Sequence, residues 1–530
     1  MKKIWPGLIT FFLLIPSLAI AGGYATPSSD ELLKRLDQLT RELESVKQEL
    51  NRVKQEQGQL SQAQSELADT VDENAEGIDE INTNGVNRFQ IFGDYRFRLD
   101  STRLNTNSHI DFAGNRVNGE RITNDTLFTN RLRLGMKVKA TDNITFKGRV
   151  SMYKLWGMET ANKTNSGLFP MNSFSYDPNI SRRPNDSTLR VEMAYVNWTN
   201  LFDLPMWVSV GRRPTVDGPP AQLRYNYDSR YATPTALGVD WTFDGGTIGW
   251  AGDELYFPGA KIRFCYGRGY EAGLDYTGNS SGDLSDSDMY GISWDIINDK
   301  ETHRFANLQL FRAVSLPDMM EGVYFDPMNG NVATLADASD EVGDIYHASF
   351  VYMDEFRGVN WFISGGLSRT DDRDTTNGIH QSFGLLTNPG ETKQNHWGYA
   401  AYAGARMPLE MIHSKVGVEY NYGSRYWINF TPAADDVYSS KLATRGHVAE
   451  VYWIWDIPDN PLSKYAKAFI RAGYQYYWFN YTGSGNWMGR PVDVDDVDMT
   501  DPRTMDYSTA MGAEPVEHMD NLYLTFEVYF

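Results

Sequence analysis

A chain of 530 residues with 69 acidic and 49 basic side chains has a formal net charge of −20, which argues against nucleic acid as a partner. Its single cysteine, Cys265, excludes an intramolecular disulfide framework, and the lack of a CxxCH motif excludes covalent attachment of c-type haem. A mean hydropathy of −0.48, with no apolar run of about 18 residues after the N-terminal segment, excludes a helical membrane protein.

Residues 1–21 join Lys2 and Lys3, an apolar stretch from Leu8 to Leu18, and the small-residue ending Ala19-Ile20-Ala21. These are the three regions of a secretory signal peptide, so the mature chain is expected outside the cytoplasm. The stretch is short for a spanning helix, which makes a retained anchor the weaker alternative. Residues 22–29 read as a linker.

From Leu32 through Leu36, Leu39, Leu43, Val46, Leu50 and Val53 to Ile78 and Ile81, seam residues alternate steps of four and three. This heptad repeat predicts a coiled-coil stalk over residues 30–83, about 80 Å long at 1.5 Å per residue. Gln57, Gln64 and Asn74 place polar layers in the seam. Leu at one seam position opposite β-branched residues disfavours a dimer, so the expectation is a homotrimer, with a tetramer next and a single solvated helix as the remaining alternative.

Asn82 to Gly85 stops the helical pattern, and from Phe89 onward the period becomes two. Short alternating runs such as FQIFGDYRFRLD, NRLRLGMKVKA, LRVEMAYVNW and KVGVEYNYG recur with no helical run between them. That predicts an all-β antiparallel architecture over 89–530. Short connections near 141–143, 199–205, 298–302, 354–359 and 408–413 alternate with long ones near 104–124, 157–186, 214–235, 268–286, 314–342, 370–395, 428–443 and 482–519. Turns and loops that take turns in this way are the mark of a closed transmembrane β-barrel, counted here as sixteen strands, with a large secreted β protein as the alternative.

Strand parity then predicts the two faces. In NRLRLGMKVKA, Leu132, Leu134, Met136 and Val138 are assigned to lipid, which turns Arg131, Arg133, Lys137 and Lys139 inward. The same parity turns Arg96, Arg98, Lys147, Arg149, Arg190, Arg213, Lys261, Arg263, Lys415 and Arg471 inward, with Asp94, Asp100, Glu192 and Glu419 as acidic companions. A basic, water-facing wall favours anions. The competing reading pairs these cations with acidic loop residues folded into the pore. On the water-facing reading, replacing Arg131, Arg133 and Arg149 by Gln should cost little packing.

The connection after the fifth strand, PTVDGPPAQLRYNYDSRYATPTA, carries Asp217, Arg224, Asp228 and Arg230 and is the constriction candidate, an ordinary external loop being the alternative. Acidic clusters in other loops, including Asp286 and Asp288, Glu341 and Asp344, Asp371 and Asp372, and Asp493 to Asp501, read as solvated loops, with divalent-cation binding as the lesser option. Trp198, Tyr426, Trp427, Trp453, Trp455, Trp478 and Tyr481 fall near strand ends, where aromatic girdles sit. His347 and Ser349 share one face at ordinary spacing, so no enzyme activity, catalytic group, metal or cofactor is expected.

The chain closes on NLYLTFEVYF, where Leu522, Leu524, Phe526, Val528 and Phe530 alternate with polar residues. A last strand ending in Phe resembles the assembly signal of bacterial outer-membrane proteins, carried here by Leu524, Phe526, Val528 and Phe530. DTLFTNRLRLGMKVKATDNITFKGRVSMYKLWG, LRVEMAYVNW, VSVGRRP and GVEYNYGSRYW are similar to segments of a porin family with an N-terminal coiled coil from sulfate- and metal-reducing bacteria. No peptidoglycan-binding domain is read before the coiled coil. That resemblance implies an outer-membrane porin passing small hydrophilic solutes, in contact with outer-membrane lipid and lipopolysaccharide, its stalk in the periplasm. It also implies a second reading, a barrel that sheathes a partner cytochrome.

Overall fold

The computed structural model describes residues 88–157, 184, 186–214, 217–227, 234, 236–252, 257–271, 285–299, 301–317, 322–326, 331–335, 341–373, 384–388, 391–431, 436, 438–458, 466–510 and 514–530. The expected signal peptide (1–21), linker (22–29) and coiled coil (30–83) lie outside the described residues, as do Asp228 and Arg230.

Sixteen antiparallel strands close into a barrel: β1 (Phe89–Thr106), β2 (Arg121–Lys139), β3 (Ile144–Leu155), β4 (Arg190–Thr199), β5 (Met206–Pro214), β6 (Thr242–Ala251), β7 (Lys261–Tyr270), β8 (Ser287–Asn298), β9 (Phe305–Pro317), β10 (Glu341–Phe356), β11 (Val359–Asp372), β12 (Trp397–Leu409), β13 (Ser414–Gly423), β14 (Gly446–Asp456), β15 (Lys467–Phe479) and β16 (Val516–Tyr529). Each pairs with its sequence neighbours, and β16 pairs with β1 from Asp94↔Tyr529 to Asn105↔His518. The Phe530 N–H donates to the Gly93 carbonyl at 3.0 Å and the Gly93 N–H donates back at 2.8 Å. Closure leaves no sheet edge, which a barrel in hydrocarbon requires because unpaired backbone groups have no water to bond there.

The connections sort as the sequence predicts. One end carries short turns such as 140–143, 357–358 and 410–413. The other carries the long connections, two of which contain hairpins of their own, 109–110 with 116–117 and 322–326 with 331–335.

The outer face is apolar. Ile91, Val196, Ile248, Ile262, Phe264, Leu310, Ile363, Leu367, Val418, Leu522, Leu524 and Phe526 are all exposed. An exposed apolar belt on this scale marks a lipid-facing surface. Trp198, Trp453 and Trp478 are exposed near strand ends as expected of a girdle, but Trp427 is not. It is fully buried inside the barrel, and its indole N–H donates to the Leu442 carbonyl at 2.8 Å.

The inner face differs by arc. On β9–β12, Phe305, Phe311, Ala313, Ile345, Val351, Met353, Phe362, Ala400 and Tyr402 point inward and are buried. They pack against loop residues Leu223, Leu237, Trp427, Ile428, Phe430 and Leu442, and at the long-loop end against Leu385, Leu386, Trp487 and Met488. The expectation of an inner face turned to water fails here. The inner side of these strands is mixed, with Asn307, Gln309, His347 and Ser349 standing among the apolar residues, and the chain's own loops cover it.

Arg445 ties those loops together. Its guanidinium donates to four carbonyls, those of Trp427 (3.1 Å), Thr482 (3.2 Å), Gly483 (2.8 Å) and Asn486 (2.5 Å). Burial lowers its pKa to about 9, still above neutrality, so all four acceptors face a charged donor at pH 7.

Candidate functional site

The interior site begins with the register of β1, β2 and β3. Arg96 lies directly across from Arg131, and Lys137 across from Lys147. Like charges opposed in a sheet repel, so the wall holds only if carboxylates stand among them. Asp94, opposite Arg133, supplies the first: it accepts from Arg131 at 2.9 Å and from Arg133 at 2.7 Å. Asp100 takes Arg98 at 2.7 Å, while the Arg98 guanidinium lies 4.5 Å from the Tyr523 ring. Glu192, at a register shift between β3 and β4, takes Arg149 at 2.9 Å. Arg96 donates to the Tyr153 hydroxyl at 3.0 Å.

These residues face inward as parity predicts, but not onto open water. Arg96, Arg98, Arg133, Arg149, Arg263 and Arg471 are each no more than 3% exposed. Arg131, Lys147, Arg213 and Lys261 are buried too, Lys137 is half-buried, and Lys139 is exposed at the short-turn end. Arg213 bonds Thr247, Arg263 pairs with Asp295 at 2.7 Å, and Arg471 with Glu527 at 2.9 Å. Arg190 sits at the start of its strand and pairs with Asp186 at 3.0 Å. Hydrogen bonds from Arg190 and the Thr188 backbone hold that carboxyl at about 2. Lys415 pairs with Asp456 at 2.6 Å.

The segment after β5 enters this interior. Asp217, at its start, accepts from Arg133 at 2.8 Å and stands 3.6 Å from Arg149, so a loop carboxylate is seated on the basic wall. The chain then crosses to the far side. Residues Gln222–Tyr225 form a single helical turn, and the Arg224 guanidinium lies 3.3 Å from Glu450 of β14 and 3.5 Å from Asp436. Arg224 also offers its carbonyl to Arg471 at 3.1 Å, and Tyr225 offers its carbonyl to the Tyr529 hydroxyl at 2.7 Å. Arg406 donates to the Leu223 carbonyl at 3.0 Å, and Asn226 donates to Asp456 at 2.6 Å. The segment is therefore tied to both sides of the interior, and an ordinary external loop is excluded for it.

Facing the basic arc is an acidic pair on β13 and β14, Glu419 and Glu450. Lys441, from the 424–445 connection, is buried between them and bonds both. Tyr402 and Tyr523 donate to Glu419 and Glu450, each at 2.7 Å. Tyr523 fits because Gly473 lies beneath it on β15, where a Cβ would collide with the phenol ring. The 217–227 segment thus meets positive wall with a carboxylate and negative wall with a guanidinium.

The sequence reading named Asp217 and Arg224 and the four acids Asp94, Asp100, Glu192 and Glu419. It missed Asp295, Asp436, Lys441, Glu450 and Glu527. Three of these were accessible by the same parity: Asp295 alternates with Ser293, Glu450 with Val448, and Glu527 with Thr525 on inward positions. Asp436 and Lys441 lie on a connection and carry no parity signal. The expectation that Arg131, Arg133 and Arg149 face water and tolerate Gln with little loss is corrected: their removal strips Asp94, Glu192 and Asp217 of buried partners. His347 and Ser349 do point inward, but His347 is stacked on Phe311 at 4.5 Å and covered by Trp427. Several carboxylates of the expected acidic clusters prove to be turn and ion-pair partners, such as Asp344, in β10, with Arg312 and Arg373, and Asp501 with Arg503. No His, Cys, Asp and Glu cluster fit for a metal ion occurs among the described residues.

Comparison with known proteins gives one family match, described as "Protein of unknown function (DUF3373)", over residues 121–530. No curated protein sequence matches the chain. Similar solved structures include the anion-selective porin from Comamonas acidovorans, at 11% identity and TM-score 0.40, covering 83% of this chain and 99% of that one. They also include OmpT of Vibrio cholerae in its trimer form, at 10% identity and TM-score 0.38, covering 84% and 100%. OmpF of Salmonella typhi in complex with daunomycin matches at 9% identity and TM-score 0.40, covering 83% and 97%.

Proposed function

We propose that this chain, which belongs to the DUF3373 family, is an outer-membrane porin for passive diffusion of small hydrophilic solutes, with a preference for anions. The observation that supports the reading is the 217–227 segment, tied to one wall of a lipid-facing barrel by Asp217 on Arg133 and to the opposite wall by Arg224 on Glu450; on this reading it is the constriction. The inner faces of β1–β3 bear Arg96, Arg98, Arg131, Arg133, Lys137, Lys147 and Arg149, seven cations against the four carboxylates of Asp94, Asp100, Glu192 and Asp217. Fixed positive charge in a low-dielectric wall raises the local concentration of anions. The remaining cations named for the lining, Lys139, Arg190, Arg213, Lys261 and Arg263, extend that wall. On this reading the long-loop end is external and the short turns are periplasmic. The heptads of residues 30–83 then form a periplasmic stalk that joins three barrels. Leu524, Phe526, Val528 and Phe530, outward-facing on the closing strand, serve as the assembly signal.

A sheath around a partner cytochrome needs interior room that residues 217–227 and the buried Leu237, Trp427, Lys441 and Leu442 already occupy, so that alternative is set aside. The test is the reversal potential of the reconstituted chain under a salt gradient in a planar bilayer. It should favour anions and weaken as salt screens the wall. A cation preference would overturn the selectivity, and no conductance at all would overturn the porin.

A further inference from the structure

The outer face of β7–β12 carries an ordered row that the pore does not use. Tyr266, Tyr290, Arg312, Tyr346, Arg369 and Trp397 are successive cross-strand partners on six adjacent strands, all pointing outward. Tyr266 and Tyr290 pack at 5.4 Å, Arg312 lies 5.0 Å from the Tyr346 ring, and Arg369 lies 5.7 Å from the Trp397 ring. The next row toward the short-turn end is Phe264, Ile292, Leu310, Ala348, Leu367 and Tyr399, again in register. Between the rows lies a cleft of about 620 Å³, lined by Ile292, Leu310, Ala348 and Leu367 and overlooked by both arginines. Ala348 creates it, because a small side chain stands between Leu310 and Leu367.

Arginine is costly in the hydrocarbon centre and nearly neutral at its boundary, where Tyr and Trp also gather. Arg369 is three residues from the long-loop end of β11, and Trp397 begins β12. The row therefore marks the outer boundary of the lipid belt. Arg312 has Asp344 as its partner. Among the described residues Arg369 forms no ion pair and is held only by the Trp397 ring. A guanidinium fixed over a cleft of aliphatic walls suits a ligand with an anionic head and an alkyl tail, and its planar fork matches phosphate.

We infer that this cleft binds a phosphorylated lipid of the external leaflet, its phosphate on Arg369 with Arg312 beside it and an acyl chain along Ile292, Leu310, Ala348 and Leu367. The inference rests on the membrane-barrel reading and not on what the pore passes. The full chain, purified in detergent and incubated with diphosphoryl lipid A or with zwitterionic phosphatidylcholine, is examined by native mass spectrometry, with heat-modifiable migration confirming that each variant is folded. Wild type should retain lipid A over phosphatidylcholine. Arg312→Gln with Arg369→Gln should lower lipid A retention about tenfold, the scale of a lost charged hydrogen bond. Ala348→Phe, which fills the cleft from the lipid side, should lower retention of both lipids. Equal lipid A on wild type and the arginine variant, or equal retention of both lipids by wild type, would overturn the site. So would a dimer that Ala348→Phe dissolves, since the cleft would then be covered by a second copy. A chain without conductance that still holds lipid A through Arg369 would sink the porin and leave the lipid site standing.

Discussion

The inner wall of β1–β3 and the inner wall of β9–β12 belong to one barrel and solve opposite problems. The first is crowded with cations and is held by Asp94, Asp100, Glu192 and the loop carboxylate of Asp217. The second is aromatic and aliphatic and is held by Leu223, Leu237, Trp427 and Phe430 from the loops. Either arc alone would be unstable facing bulk water or vacuum: one through repulsion, the other through exposed apolar area. The folded-in loops match each arc in kind. Their entry into the barrel is thus written into the walls, with the apolar arc acting as the anchor and the charged arc as the electrostatic seat.

The largest effect should come from removing the seat. Arg131, Arg133 and Arg149 replaced together by Gln would leave several buried carboxylates unpaired, at about 3–5 kcal/mol for each broken pair. The triple variant should lose heat-modifiable barrel, and adding Asp217→Asn should restore part of it. A triple variant with wild-type migration would show that water reaches these pairs. The anchor is next. Trp427→Ala should destabilise the barrel by about 3–5 kcal/mol, the usual cost of deleting a buried large aromatic, and should raise proteolysis of the 424–445 connection. Equal protease resistance would separate the apolar arc from loop retention.

A smaller loss is expected from Arg445→Met, which leaves four carbonyls short of a donor while keeping the bulk of the side chain. At about 1–3 kcal/mol for unsatisfied buried groups, it should loosen residues 482–486 to protease without unfolding the strands. The smallest effect is a pH dependence. Burial, together with the nearby Arg425 and Arg490, lowers the pKa of His396, whose ring stacks on Tyr426 at 4.1 Å. A depressed histidine pKa means that the unfolded chain binds the proton first, so stability falls as pH drops below about 6.5, the unfolded value. Protease sensitivity of the 384–396 stretch should rise in that window, and His396→Phe should abolish the rise.

Strand number, loop alternation and the outer face were legible because lipid enforces them on every strand: a period of two with one apolar side has no other solution in a membrane. The charged arc was legible for the same reason, since Arg131 and Arg133 alternate with Leu132 and Leu134. Its burial was not, because parity reports which way a side chain points and nothing about what covers it. The apolar arc was harder still. In Ile345, His347, Ser349, Val351 and Met353 the inner side mixes polar and apolar residues while Tyr346, Ala348 and Phe350 line the outer side, so neither face stands out. Trp427 misled for a related reason: an aromatic residue just past a strand end suits a girdle and an interior plug equally well, and only the loop path decides.

The central claim is that the segment after β5 narrows a conducting barrel. Single-channel conductance of the wild-type chain should be compared with that of a variant in which residues 218–227 are replaced by a short Gly-Ser link, Asp217 being kept on its arginines. The account predicts an anion-favouring channel in wild type and a several-fold larger conductance in the variant, with the barrel still heat-modifiable. A folded variant whose conductance equals that of wild type would contradict it, because the interior crossing would then lie outside the path of the ions.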